Sequence, residues 1–393
     1  LLTRPYLSDD GEWWQPSPYW DAALALFDTR PITVRPAAVR PIADAASPLE
    51  LAIGAMRQGP SGGEYGGLAP QLETLSGAAE VLRARLARET GKGSEGDCRV
   101  LNTALANRFG TGHHWSASRL EKYGTCPFHF WLSAALDLEL REPPEPGYDA
   151  AQLGSMLHAI LEQVYQRAAD PSQLDKVLAV LPAVANEVFN GAPKKYGFRP
   201  TPLWTVQRAE LLEALKKTIT NLNGEAAGFR PIRFEQHFGD DRPLRVDGTE
   251  IRLHGFIDRI DQNEDGELRI IDYKTGSSGF ARSELSEGRR LQLPLYALAA
   301  QNALRLGQVV DGFYWGILKG EKSSLRLNDF HVEVDDKEWN GPVGAMQLAQ
   351  AWTGKHIRRI QAGDFPPSPT ADNCPSYCPG KLTCWRYNPS ERA

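Results

Sequence analysis

The stretch at residues 250–275 constrains the fold of this chain more than any other, because it predicts two β-strands joined by one short turn. β-Branched and aliphatic residues fill both halves, and the polar turn at residues 263–266 separates them. Side chains alternate along a strand, so Asp272 and Lys274 are predicted to share a face. Asp258 lies on the partner strand, where the hairpin can bring its carboxylate near Asp272. The sequence therefore predicts two carboxylates and a lysine on one face of a sheet.

This arrangement suits a hard divalent cation and a polarised water. Asp258 and Asp272 are predicted to bind Mg²⁺ or Mn²⁺, and Lys274 to hold the attacking water or to stabilise charge on the substrate. His158, on a predicted amphipathic helix, could add a nitrogen ligand that favours Mn²⁺ over Ca²⁺. For Asp-x-Lys alone, an ion pair on a solvated sheet face is the simpler interpretation. A lone helical histidine is more often a packing or capping residue.

Two further groups of side chains lie after the hairpin. Gln292 and Tyr296 are four residues apart in a predicted helix and so share one face. They could contact the substrate backbone or orient the lysine of the hairpin, and simple helix packing is the alternative. Arg282, Arg289 and Arg290 flank this helix and are the basic residues predicted to follow a phosphate backbone.

Four of the five cysteines form a separate pattern. Cys374, Cys378 and Cys384 are close together in the sequence, and Cys126 lies far upstream beside an aromatic segment. Four thiolates can bind zinc or an iron–sulfur cluster, and the spacing favours a [4Fe–4S] cluster without excluding zinc or buried thiols. Cys98 lies outside the pattern. An odd number of cysteines without a secretory signal argues against a disulfide framework.

Composition places the chain among ordinary soluble globular proteins. Apolar residues make up 41% and charged residues 24% of its 393 residues. No apolar run approaches the roughly 20 residues that cross a bilayer, and no signal peptide is visible, so a cytoplasmic location is predicted. The net charge of −5 gives no global support for a nucleic-acid partner. The chain starts at Leu1 rather than Met, which suggests a piece of a longer protein, and it contains no P-loop motif.

The predicted elements divide the chain after residue 112. Residues 1–112 are rich in Trp, Pro, Ala and Gly around one helical pattern at residues 72–88. Ser118 and Glu121 are spaced as a capping box at the start of the second part, residues 113–393. Helices and strands alternate from there, which predicts an α/β fold. The predicted helices lie at residues 154–167, 173–189, 206–227, 283–306 and 336–362, and the later strands at residues 233–238, 309–318 and 325–334.

Taken in order, four motifs resemble the RecB-type nuclease branch of the PD-(D/E)XK superfamily. They are GSMLH ending at His158, GFIDRID at residues 255–261, IDYKTG at residues 271–276 and QLPLY at residues 292–296. Each motif alone is weak, but the ordered set is specific and covers residues 115–388. The resemblance implies a restriction-endonuclease-like core, in which a short mixed central sheet is flanked by helices.

The resemblance also implies roles for individual residues. His158, Asp258, Asp272 and the Tyr273 carbonyl would be metal ligands, Lys274 would be catalytic, and Gln292 and Tyr296 would form the Q-x-x-x-Y element. Cys126, Cys374, Cys378 and Cys384 narrow the resemblance to AddB-like members, whose nuclease domain carries a [4Fe–4S] cluster. In those proteins the nuclease domain follows a helicase-like region, so residues 1–112 are expected to be the end of such a region with its linker.

The function implied is a Mg²⁺-dependent deoxyribonuclease, an exonuclease that degrades DNA ends during double-strand-break repair with a partner helicase. A catalytically inactive DNA-binding scaffold with the same fold is the main alternative. It is disfavoured because a scaffold does not require the full set of His158, Asp258, Asp272 and Lys274. A zinc-clasped protein unrelated to DNA is a third interpretation.

Overall fold

The computed structural model describes residues 15–27, 96–140, 146–239, 244–246, 249–276, 279–367, 374, 377–381, 384 and 386. The chain divides into two compact units, Leu1–Arg88 and Glu89–Ala393. In the first unit the described residues contain helix α1 (Pro18–Leu24), which Ser17 caps and Pro18 begins. The predicted helix at residues 72–88 lies outside the described residues.

A five-stranded mixed sheet forms the centre of the second unit, with the strand order β2-β5-β6-β7-β8. Strands β6 and β7 are parallel, and the other neighbouring pairs are antiparallel. Two smaller sheets have the orders β1-β4-β3 and β10-β9. The bounds are β1 (His114–Trp115), β2 (Arg230–Phe238), β3 (Leu244–Val246), β4 (Thr249–Leu253), β5 (Gly255–Gln262), β6 (Leu268–Lys274), β7 (Val309–Gly316), β8 (Glu321–Arg326), β9 (His331–Val334) and β10 (Lys337–Asn340).

Helices cover both faces of the central sheet. Short π-helical segments, Trp131–Ala135 and Ala299–Ala303, continue α4 and α9. Among the described residues, none of the helices is both long and apolar enough to span a membrane. The helix bounds are α2 (Asn102–Arg108), α3 (Ala117–Thr125), α4 (Pro127–Phe130), α5 (Ala150–Arg167), α6 (Leu174–Tyr196), α7 (Trp204–Gly224), α8 (Arg282–Ser286), α9 (Gln292–Leu298) and α10 (Gly341–Gln361).

The sheet separates two hydrophobic cores, because successive side chains of each strand point to opposite faces. Ile270 and Tyr314 face a core shared with α3, α9 and α10. Their chain neighbours Ile271 and Phe313 face a second core shared with α5, α6 and α7. Helices packed on both faces of a short mixed sheet confirm the predicted α/β fold class.

The start of the second unit belongs to the first of these cores. Leu105 of α2 and Phe109 are buried there with residues of α3 and α10. Leu105 and Phe109 therefore pack with the part of the chain that contains the central sheet. The predicted domain division after residue 112 stays a prediction.

The three helices predicted before the hairpin differ from the structure only at their ends, but the two predicted after it differ more. The helix predicted at residues 283–306 is divided into α8 and α9, because Gly288 adopts a φ of +76° that does not fit a helix interior. Residues 337–340 form β10 instead of the first turn of the last helix, and α10 begins at Gly341 with Pro342 next to it.

The predicted capping box at the start of α3 is wrong. Ser116, not Ser118, is the N-cap, and its Oγ accepts the N–H of Arg119 at 3.3 Å. Glu121 is 9% exposed, and its carboxylate accepts backbone N–H groups at the start of α9 instead. Glu121 is drawn away from its own helix because those buried N–H groups have no intrahelical partner.

Candidate active site

The two predicted carboxylates meet across β5 and β6. The antiparallel register pairs Arg259 with Ile271, so the next pair along the strands is Asp258 with Asp272. Asp258 is 8% exposed and Asp272 is fully buried. Asp258 Oδ2 accepts the N–H of Tyr273 at 2.6 Å, which ties this carboxylate to the backbone of the neighbouring strand.

Lys274 lies beside Asp272 and is held from α9. Its Nζ is 2.5 Å from Asp272 Oδ2 and donates to Gln292 Oε1 at 2.8 Å. Gln292 Nε2 in turn donates to the Tyr296 hydroxyl at 3.0 Å. Of the interpretations open from the sequence, the geometry agrees with the one in which the Gln–Tyr pair orients the lysine.

Helix α5 brings His158 to the same carboxylates. His158 Nδ1 lies 3.5 Å from Asp258 Oδ1 and 3.4 Å from Glu235 Oε1. His158 Nε2 lies 3.2 Å from the carbonyl oxygen of Tyr273. One ligand atom from each of His158, Glu235 and Asp258 lies within 4.8 Å of the other two, so these three side chains could share a metal ion.

Glu235 is a member of this group that the sequence interpretation missed. Pairing of Phe234 with Arg259 and of Gln236 with Ile257 places Glu235 level with Asp258. Glu235 has a φ of +44°, a value that is uncommon for residues other than glycine and that clusters at functional sites. The only sequence signal was a carboxylate in the strand predicted just before the hairpin.

Burial and charge act together on the ionisable groups of the site. Burial raises the pKa of Asp272 to about 7; Lys274 opposes this rise and Asp258 adds to it. Burial acts to lower the pKa of His158, but Asp258 and Glu235 outweigh it and raise that pKa to about 10. Burial also acts to lower the pKa of Lys274, and Asp272 with Asp258 raises it above its usual value.

The carboxylate of Asp272 is incompletely hydrogen-bonded among the described residues. Asp272 Oδ1 is buried and has no hydrogen-bond partner among the described residues. Buried polar atoms usually have a partner, and an unpaired buried charge is especially costly. Magnesium and manganese bind carboxylate oxygens, and manganese also accepts imidazole nitrogen. The donor set of Asp272, Asp258, Glu235 and His158 therefore fits such a cation.

The four cysteines predicted to act together are neighbours in the structure. Cys126 ends α3 and precedes α4, Cys374 and Cys378 are buried, and Cys384 is half-buried. Burial raises the pKa of the Cys384 thiol, and the thiols of Cys126, Cys374 and Cys378 raise it further. The four thiols therefore interact electrostatically, while the backbone N–H of Cys98 donates to the Gly363 carbonyl elsewhere.

The arginines predicted to follow a phosphate backbone are all paired with carboxylates. The pairs are Arg282 with Asp329 at 2.9 Å, Arg289 with Glu287 at 2.5 Å and Arg290 with Glu284 at 3.3 Å. Arg290 also stacks on the ring of Phe280 at 4.3 Å. Contact of these residues with DNA stays a prediction.

Known proteins resemble the chain over about half of its length. It is 34% identical over 241 residues to a subunit of the ATP-dependent helicase/deoxyribonuclease of Carboxydothermus hydrogenoformans, covering 56% of the chain and 22% of that protein. The protein of the same name from Pelotomaculum thermopropionicum is 31% identical over 251 residues, covering 58% and 20%. That from Clostridioides difficile is 29% identical over 201 residues, covering 46% and 17%.

The chain spans about a fifth of the length of these curated relatives. A broader comparison covers most of the chain: residues 114–385 match the PD-(D/E)XK nuclease superfamily. The matched region includes the central sheet, the helices on both faces and the cluster of carboxylates, histidine and lysine. The chain belongs to the PD-(D/E)XK nuclease superfamily.

Proposed function

We propose that this chain is a metal-dependent deoxyribonuclease that acts as an exonuclease on DNA ends during double-strand-break repair. We propose further that it is the nuclease part of a helicase–nuclease complex in the cytoplasm, with a helicase as its partner. Membership of the nuclease superfamily supports the chemistry, and the names of the relatives support the DNA substrate and the partner. The observation that carries the proposal is Asp272 Oδ1, a buried carboxylate oxygen without a protein partner among the described residues, beside a cluster of metal-ligand types.

The metal would be Mg²⁺ or Mn²⁺. His158, Asp258, Asp272 and the Tyr273 carbonyl would hold it, and the geometry adds Glu235 to this set. When bound, such an ion supplies a water of lowered pKa and offsets negative charge on a phosphate.

The protein side chains have separate tasks in this proposal. Lys274 places a positive charge beside Asp272, where it would stabilise the charge that develops on the scissile phosphate. Gln292 and Tyr296 hold the ammonium in one orientation. Asp258 keeps its position because it accepts the Tyr273 N–H. A site whose donors are already in place needs little rearrangement during the reaction.

A nuclease assay with linear duplex and single-stranded DNA tests the proposal. The 393-residue chain should cleave DNA with Mg²⁺ or Mn²⁺ and stop when EDTA is added. Lys274→Ala should lower kcat by about 10²–10³-fold, because one preorganised electrostatic contact is lost, and Asp272→Ala by at least as much. DNA binding, followed by fluorescence anisotropy, should persist in both variants.

Asp311→Asn provides a matched control. Asp311 is also a buried carboxylate and pairs with Arg326 at 2.8 Å, away from the site. This variant should keep its cleavage rate. Full cleavage by Asp272→Ala and Lys274→Ala would remove the site from the mechanism, and a wild-type chain that binds DNA without cleaving it would favour the scaffold alternative.

We also propose that Cys126, Cys374, Cys378 and Cys384 hold a [4Fe–4S] cluster with a structural role. Such a cluster would tie the end of α3 to the cysteines late in the chain. Four neighbouring thiols support a metal site but suit zinc as well. Protein purified without oxygen should absorb at about 400 nm and contain iron and sulfide. Zinc bound to the protein, without iron or sulfide, would contradict the assignment of a [4Fe–4S] cluster.

A further inference from the structure

Glu121 is a buried carboxylate that none of the predicted catalytic or binding roles includes. It lies on α3, and its Oε1 accepts the backbone N–H groups of Leu291 and Gln292 at 2.8 Å each. These N–H groups begin α9 and have no carbonyl partner within their own helix. A carboxylate at this position is favourable, because it meets the positive end of the helix dipole.

The residue that Glu121 fixes is the one that holds the lysine. The backbone N–H of Gln292 donates to Glu121, and the side-chain oxygen of Gln292 accepts from Lys274 Nζ at 2.8 Å. Its side-chain nitrogen donates to the Tyr296 hydroxyl at 3.0 Å. The amide is therefore held at its backbone and at both side-chain ends, and only its oxygen can accept from an ammonium.

The positively charged side chains near Glu121 also connect it to Lys274. Arg290 Nη1 lies 3.8 Å from Glu121 Oε2. Burial raises the pKa of Glu121, and Arg290 and Lys274 both lower it. Burying a carboxylate costs free energy unless positive charges and N–H donors interact with it, and Glu121 interacts with both. Glu121 therefore contributes a negative charge to the surroundings of Lys274.

The packing beside Glu121 leaves the loop before α9 little freedom. One turn further along α3, a Cβ atom on Gly124 would lie 2.1 Å from the carbonyl oxygen of Gly288. His356 of α10 donates to that same carbonyl at 2.9 Å. The loop is clamped between two helices, so a hydrogen bond from α3 to α9 can transmit position.

We propose that Glu121 is a positioning residue for the nuclease site, which sets Gln292 through its backbone and thereby sets Lys274. The proposal rests on the proposed function, because it assigns Glu121 an effect on DNA cleavage. It goes beyond the Q-x-x-x-Y element, since Glu121 lies on another helix and touches no reacting group.

The test compares Glu121→Ala, Glu121→Gln, Gln292→Ala and the double variant Glu121→Ala/Gln292→Ala in the 393-residue chain. Glu121→Ala should lower kcat by about 10–100-fold, as for residues that orient a catalytic group, with KM for DNA within about twofold of wild type. Glu121→Gln should recover much of the loss, because its amide oxygen can still accept both N–H groups. The double variant should cleave no more slowly than Gln292→Ala.

Several results would overturn the proposal. If Glu121→Ala keeps the wild-type kcat while Asp272→Ala is inactive, the proposed function holds but Glu121 has no part in it. If Glu121→Ala lowers kcat by the same factor in the wild type and in Gln292→Ala, the effect of Glu121 does not depend on the Gln292 side chain. Should Glu121→Ala fail to fold, Glu121→Gln with unchanged kcat would count against the proposal equally, since its weaker acceptor should cost some activity.

A purely structural role predicts a different pattern. Asp311→Asn removes a buried carboxylate that pairs with Arg326 of β8, so it should lower Tm without changing kcat. If Glu121→Ala behaves in the same way, losing Tm but keeping kcat, then Glu121 only stabilises the fold. A wild-type chain without metal-dependent cleavage would instead overturn the proposed function itself.

Discussion

Asp261 and Asp272 are two fully buried aspartates on neighbouring strands, yet their surroundings differ. Asp261 Oδ1 accepts from Arg259 Nε at 2.6 Å, and its Oδ2 accepts from Arg259 Nη2 at 3.1 Å and Arg269 Nη2 at 2.8 Å. Asp272 meets Lys274 through Oδ2, and its Oδ1 has no hydrogen-bond partner in the part of the chain described. Both oxygens of Asp261 accept hydrogen bonds from arginine, whereas Asp272 Oδ1 accepts none from the described residues.

The arginines of the Asp261 network are themselves held by aromatic rings. Arg259 Cζ lies 4.7 Å from the ring centre of Tyr165, and Arg269 Cζ lies 4.6 Å from that of Phe229. A cavity of about 20 Å³ borders Arg259, which is room for one water. Asp261 and its two arginines therefore form a closed network within the fold, in contrast to the incompletely paired Asp272.

The largest effect on stability should come from Asp261→Ala. The substitution leaves two buried guanidinium groups without their carboxylate, and breaking such a pair costs about 3–5 kcal/mol of unfolding free energy. Urea unfolding followed by circular dichroism measures the loss. Asp272→Asn is the comparison, and its loss should be smaller, because the amide oxygen can still accept from Lys274 and Oδ1 has no hydrogen bond to lose. Equal losses in the two variants would erase the distinction.

A smaller effect should follow from adding the metal. A ligand that binds only the folded state at one hundred times its Kd stabilises it by about 2.7 kcal/mol. Thermal unfolding with Mg²⁺ or Mn²⁺, against EDTA, should show this stabilisation in the wild type and in Asp311→Asn. Asp272→Asn should lose most of it. Undiminished stabilisation in Asp272→Asn would show that the leftover oxygen of Asp272 is not a ligand atom.

The smallest effect should come from Phe229→Leu. This change removes the ring beside Arg269 while keeping an apolar side chain, so it should lower the unfolding free energy by about 1 kcal/mol. The rate of DNA cleavage should not change, since the ring of Phe229 packs on Arg269 of the Asp261 network. Guanidinium unfolding and the nuclease assay together check both parts. A cleavage defect at normal stability would mean that the two clusters are coupled.

The sequence predicted the parts of the site that depend on local periodicity. Asp272 and Lys274 share a face because strands alternate, and Gln292 and Tyr296 meet because they are one helical turn apart. Asp258 was within reach because a short turn joins its strand to the next. The fold class followed from the alternation of helices and strands.

The rest depended on contacts that periodicity does not encode. Glu235 joins the cluster only through the register of β2 against β5 and through its unusual backbone. Glu121 had a plausible local partner in Ser118, but it binds a helix that lies far away in the sequence. Gly288 breaks a continuous helical pattern by a positive φ that apolar spacing does not reveal. In each case a tertiary interaction overrode a local preference.

Glu121 and the Leu291 N–H that it accepts are 170 positions apart. At translation rates of about 5–20 residues per second, the carboxylate is made roughly 10–30 seconds before its partner exists. The entropy of closing so long a loop is modest, because it grows only with the logarithm of length. If Glu121 sets the lysine as proposed, a nascent chain reaches its cutting geometry only after most of it has left the ribosome. The order of synthesis would then delay nuclease activity at least until α9 has been made.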